Sequence, residues 1–168
     1  TGKDKIKWVR DYRAPCLEDT DADSIAARLA EKLPEWEALN VLPTEPIDEL
    51  SNYDRGHRMY GMYRWTDMFS PRQLFAHCTS VAVLNELLES FRVQQSLDET
   101  TRAAFVYLSL ALDKIRDYNS RATRWIVLRE TMANTFDSHN FAMKWSYAEM
   151  ALLVEGVGFD WAIEQVAK

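Results

Sequence analysis

The 168 residues suffice for one domain with a substantial core, and 47% hydrophobic and 12% aromatic residues with few Gly and Pro exclude a disordered chain. Two distant cysteines, Cys16 and Cys78, exclude a disulfide framework or cysteine-based zinc site, and no apolar run reaches the roughly 18 residues of a membrane span. The net charge of −6 weighs against strong autonomous binding to nucleic acid, although residues 17–50 carry ten acidic and two basic groups while 114–129 carry five basic groups against Asp117 alone.

Residues 5–13 alternate loosely and predict an extended arm or edge strand within 1–20, ended by Pro15 and the acidic run that follows. A helix is expected over 24–40, capped by Asp23-Ser24, with Ile25, Leu29, Leu33, Trp36 and Leu39 on one face and a kink or restart at Pro34. Pro43, Pro46, Gly56 and Gly61 mark a long loop over 41–69, a length that often signals function. Ser70-Pro71-Arg72-Gln73 has the form of a capping box with Pro at the first helical position. The helix it opens should run to about 92 and bury Leu74, Phe75, Cys78, Val81, Ala82, Leu87, Leu88 and Phe91. Asp98 should cap the next helix, to about Asn119, whose stretch 103–112 has no polar face and is expected to be the most buried in the chain. Further helices are expected over 121–133, over 147–155 behind Ser146, and from Asp160 after the break at Gly156 and Gly158.

The expected fold class is therefore all-α, a single helical domain over 1–168 with about five to seven helices. The chain opens Thr1-Gly2-Lys3-Asp4 without an initiator Met or signal-peptide pattern and closes within an amphipathic helix. An excised internal piece of a longer, cytoplasmic protein is the expectation.

No glycine-rich nucleotide loop, P-loop or nucleophile elbow occurs. His57, His77 and His139 stand singly, and His77 and Cys78, adjacent on a helix, diverge by about 100°. Glu86 and Glu89 lack the second pair or His partner of a di-iron site. No catalytic, metal or cofactor residue is assigned. Two clusters carry chemistry. In 55–73, Arg58, Arg64 and Arg72 interleave with Tyr63 and Trp65, and the stretch leads into the helix N-terminus at Ser70-Pro71, where Gln73 completes the capping box. Free N–H groups beside Arg72 suit a phosphate, and Tyr63 and Trp65 suit stacking on an unpaired base. The same residues also suit a capped helix with aromatics plugging the core beneath a loop. In 113–125, Asn119 and Ser120 sit at a helix break followed by Arg121 and Arg124, which suits either a binding site or a C-cap with an exposed basic turn.

Together these clusters resemble a known family. Trp65-Thr-Asp-Met-Phe-Ser-Pro-Arg-Gln-Leu74 resembles the W-x-D-L-F-[ST]-P-R-Q-L signature of large adenine-specific DNA methylases, which often carry a zinc-ribbon insert. Tyr107-Leu-Ser-Leu-Ala-Leu-Asp113, Asp117-Tyr-Asn-Ser120 and Arg124-Trp125 resemble that family's next block, and Asn134-Thr-Phe136 with Trp145-Ser-Tyr-Ala-Glu149 the one after it. In that family the glycine-rich S-adenosylmethionine motif lies earlier in the chain and the D-P-P-Y motif later; neither occurs here. The resemblance implies a helical insertion or target-recognition segment without catalysis of its own, whose full-length enzyme uses S-adenosylmethionine. Its implied partners are DNA and the catalytic domain of the same chain. The DNA-facing set it implies is Arg58, Tyr63, Arg64, Trp65, Arg72, Gln73, Asn119, Ser120, Arg121 and Arg124. The alternative is a helical module that braces the methylase core or binds a partner protein.

Overall fold

The computed structural model describes residues 12–19, 21–48, 57–137, 144 and 146–168. Most of the expected arm, and part of the expected loop, lie outside them. Among the described residues are four α-helices and one two-stranded antiparallel ribbon, which corrects the expectation of an all-α domain of five to seven helices.

Helix α1 spans Ala22–Ala38 and continues through Pro34 without restarting. Pro34 removes one donor, but the turn beyond it carries Trp36, whose burial holds the helix in place. Its N-cap is Asp21 rather than Asp23 or Ser24; the Ser24 hydroxyl instead donates back to the Asp21 carbonyl. Helix α2 spans Pro71–Val93, with the expected capping box. Ser70 Oγ accepts from the Gln73 amide at 3.2 Å, and Gln73 Oε1 accepts from the Ser70 amide at 2.9 Å. Leu29 and Trp36 of α1 pack on Leu74 and Cys78 of α2, with Trp36 and Phe75 in ring contact at 5.6 Å. Of the face expected to be buried, Leu74 and Cys78 are buried and Leu87 is exposed.

Helix α3 spans Glu99–Tyr118, and Asp98 caps it by accepting from the Thr101 amide at 2.7 Å. It is amphipathic in three dimensions, contrary to the expectation of burial on every face. Phe105, Ala111 and Ile115 are buried, whereas Val106, Tyr107 and Leu110 are 59%, 56% and 48% exposed. An apolar residue with no neighbouring element to cover it remains in solvent, and only one side of α3 meets α2 and α4. Phe105 meets Phe91 of α2 edge-on at 5.7 Å. Helix α4, Phe159–Val166, closes on α3 through the fully buried Ala162.

The expected helix over 121–133 is instead a hairpin. Strands β1, Arg124–Ile126, and β2, Thr131–Ala133, pair Arg124 with Ala133, Trp125 with Met132 and Ile126 with Thr131. β-Branched and aromatic residues favour the strand, and Glu130 turns the chain at a positive φ of 46°. The segment expected as a helix over 147–155 is irregular, because its backbone is bonded elsewhere: the Met150 amide donates to Asn119 Oδ1, and the Ala148 carbonyl accepts from Thr123. No helix among the described residues is long and apolar enough to cross a membrane.

The stretch expected as an open loop over 41–69 has, in its described part, a small core of its own. Ile47, Met62 and Met68 pack with Ala122, and the Ile47 amide donates to the Tyr63 carbonyl at 2.8 Å across a bridge between Pro46 and Arg64.

Candidate functional site

Described residues of the three blocks that carry the family resemblance meet around Asn119 and its neighbours. At the end of α3 Asn119 leaves helical geometry, with φ −142° and ψ 68°, so its side chain and carbonyl turn inward. Asn119 Oδ1 accepts from Gln73 Nε2 at 3.4 Å and from the Met150 amide at 3.0 Å. Its carbonyl accepts from His77 Nε2 at 2.8 Å. A carbonyl only accepts, so Nε2 carries the proton and Nδ1 the lone pair. Burial lowers the His77 pKa from 6.5 to about 4, against the opposing effect of the Asn119 hydrogen bond, so the ring is neutral. Burial likewise pushes the neighbouring Cys78 thiol up to about 11.

Adjacent contacts extend this network. Ser120 Oγ bonds Thr135 Oγ1 at 2.7 Å, and Thr123 Oγ1 reaches the Ala148 carbonyl at 2.6 Å. The Asp117 carboxylate accepts from Asn134 Nδ2 at 2.8 Å and from the Phe136 amide at 3.1 Å. Buried polar groups need such partners, because each one left unpaired costs about 1–3 kcal/mol.

The ten residues singled out from the sequence divide by environment. Gln73, Asn119 and Ser120 are buried inside the network and face other protein groups, not solvent. Arg121 clasps the turn at 65–68: its amide donates to the Met68 carbonyl at 2.8 Å and its guanidinium to the Asp67 carbonyl at 3.1 Å. Arg72 pairs with Asp21 at 3.0 Å and Glu149 at 3.5 Å. Glu149 also bonds Ser70 at the start of α2, so a carboxylate of this chain stands where the sequence suggested a phosphate. Arg124 is paired with Asp137. Arg58 donates to the Ile47 carbonyl at 3.3 Å and lies over the Tyr63 ring at 5.6 Å. Tyr63, Arg64 and Trp65 form an exposed edge, positioned by Asp67, whose carboxylate accepts from the Tyr63 and Arg64 amides at 2.8 and 2.9 Å.

Behind that edge is a cleft of about 640 Å³, within the size range of small-molecule sites. Leu42, Trp65, Met68, His77, Asp113 and Phe136 are among the residues that line it. Sequence reasoning did not name His77, Asp117, Thr123 or Phe136 as site residues, although Asp117 and Thr123 lie within the 113–125 cluster. The i−2 and i+4 positions of Asp117 and Thr123 about Asn119 were a faint signal; nothing in the sequence brought His77 to them.

Among the described residues no group of three His, Cys, Asp or Glu side chains could hold a metal ion. The residues present also do not fit S-adenosylmethionine in the usual strand–glycine turn–helix seat. The only strands are β1 and β2 among the described residues, and neither leads through glycine into a helix. Comparison with known proteins gives no match: no protein family, no characterised protein and no solved structure matches this chain.

Proposed function

We propose that this chain is a helical target-recognition segment of an S-adenosylmethionine-dependent, adenine-specific DNA methyltransferase, contributing DNA contacts without catalysis of its own. The observation that carries the reading is that described residues of the three resemblance blocks, within 65–74, 107–125 and 134–149, are joined to one another, Gln73 to Asn119, Asn134 to Asp117, Thr135 to Ser120 and Glu149 to Ser70. The exposed Tyr63-Arg64-Trp65 edge beside this junction carries side chains that suit a DNA contact. Arg64 supplies charge to a phosphate, and Tyr63 and Trp65 supply faces on which a base can stack. Arg72, Arg121 and Arg124 serve mainly to hold this chain together, so the DNA contact concentrates on that edge.

The test is DNA affinity across several salt concentrations for the whole polypeptide that carries this chain, with Arg64→Glu beside it. Loss of one phosphate contact should weaken binding at every sequence and make the salt slope shallower by roughly one. An unchanged slope and affinity would remove the DNA contact.

A second reading, a module that braces neighbouring protein, is favoured by one observation. Val106, Tyr107 and Leu110 of α3 and Val83 and Leu87 of α2 are exposed apolar side chains. Under that reading Arg64→Glu leaves DNA binding intact, whereas Leu110→Glu separates the segment from its neighbour.

A further inference from the structure

We infer that the cleft lined by His77 and Asp113 is a binding site for a small organic cation, a primary ammonium group carried on an apolar body. Its floor supplies the apolar half of that match. Leu42, Leu74 and Cys78 are buried core residues that line it, with Met68 and Val81 beside them. The cleft volume of about 640 Å³ accommodates a small molecule.

Charge supplies the other half. Glu45, Asp113 and Asp117 line the cleft with three carboxylates, against the single guanidinium of Arg116, which is already paired with Asp113 at 2.9 Å. Asp117 accepts from neutral donors, Asn134 Nδ2 and the Phe136 amide, and is in no ion pair among the described residues. Glu45 is likewise in no ion pair among them. The surplus of negative charge attracts a cation and repels phosphate or carboxylate. A second observation points to the same ligand. His77, only 8% exposed, lines the cleft with a ring whose Nε2 proton is committed to the Asn119 carbonyl. Nδ1 therefore holds a lone pair, and no donor among the described residues serves it. A ligand N–H satisfies such an acceptor. Because burial keeps the ring neutral, His77 does not repel a cation. A bare metal ion is not the match, since no three His, Cys, Asp or Glu side chains among the described residues could hold one. The assignment is independent of the DNA contact proposed above.

The probes are phenylbutylamine, its neutral counterpart phenylbutanol and its anionic counterpart phenylbutyrate, each titrated into the chain by calorimetry. Phenylbutylamine should bind saturably, the alcohol roughly fivefold or more weakly, and the acid not at all. Added salt should weaken the amine and leave the alcohol unchanged, because only the amine is held by charge. Putrescine, which has two charges but little apolar surface, should bind more weakly than phenylbutylamine. Glu45 and Asp113 are exposed, so Glu45→Gln and Asp113→Asn remove carboxylates without disturbing the core. Each should weaken the amine roughly two- to fivefold and leave the alcohol unmoved. Glu89→Gln, on α2 and outside the cleft lining, should change neither. Circular dichroism checks that the variants fold; should they fail, the ligand series on the unaltered chain decides. Absence of saturable amine binding, equal binding of the alcohol, or affinity unmoved by both folded variants would overturn the site. Acetyl-lysine amide, with its side-chain ammonium free, binding roughly tenfold tighter than phenylbutylamine would transfer the cleft to a lysine of a protein partner and overturn the small-molecule assignment.

Discussion

His77 shows how a single residue couples burial to pH. Its imidazole is kept neutral by desolvation while Nε2 donates to the Asn119 carbonyl, and its pKa falls from 6.5 to about 4. The unfolded chain binds this proton more readily than the folded one. The stability that the neutral ring confers is therefore complete above about pH 6.5, declines as pH falls through that range, and is exhausted near pH 4. The loss is on the order of 3 kcal/mol from this group. Urea denaturation between pH 7 and 4 checks it: His77→Gln should flatten the profile in that window, and an unchanged profile would separate His77 from the acid sensitivity. A histidine is visible in the sequence, but its proton affinity is not. Burial lowers it, with the Phe69 ring packed against His77 at 5.1 Å, and a carbonyl 42 residues away in sequence opposes that shift.

At the scale of elements, local signals and packing divide the work. The start of α2 was legible because Ser70, Pro71 and Gln73 complete the capping box among themselves, and Asp98 caps α3 by the same local chemistry. The burial of α3 was not legible, because an apolar stretch carries no record of how many neighbours will cover it. A pair of substitutions measures this. Phe105→Ala should cost about 3–5 kcal/mol, as in other cores, whereas Val106→Ala, one residue on and exposed, should stay within about 0.5 kcal/mol. Chemical denaturation of both variants is the check, and comparable costs would restore the fully buried helix. The hairpin of β1 and β2 was misread for a related reason. Arg124-Trp125-Ile126-Val127 suits a strand by residue type, but three-residue strands are too short for their period to stand out. The expected helix over 147–155 was lost to tertiary hydrogen bonds, since a segment whose Met150 amide serves Asn119 cannot also serve its own helix.

Over the whole molecule, Asn119 is the point at which α2, α3 and the segment before α4 are fastened together. Asn119→Ala leaves the Met150 amide without its acceptor, which should cost on the order of 2–3 kcal/mol. The loss should appear at one transition by circular dichroism and tryptophan fluorescence together, because the contacts link all three segments; two separate transitions would show that the segments fold independently. The same junction bears on the residues first assigned to DNA. Gln73, Asn119 and Ser120 hold the interior, while Arg72 and Arg124 are paired with carboxylates from distant segments.

The sequence by itself determined the globular composition, the punctuation at Ser70, Asp98 and Gly158, and the amphipathic α1 and α4, since caps, turns and spacing act within a few residues. Tertiary structure alone decided which arginines remain exposed, which face of α3 is covered, and that His77, Asn119 and Glu149 belong to one region. Those properties depend on the distance between groups 30 to 80 residues apart, for which no local residue pattern carries information.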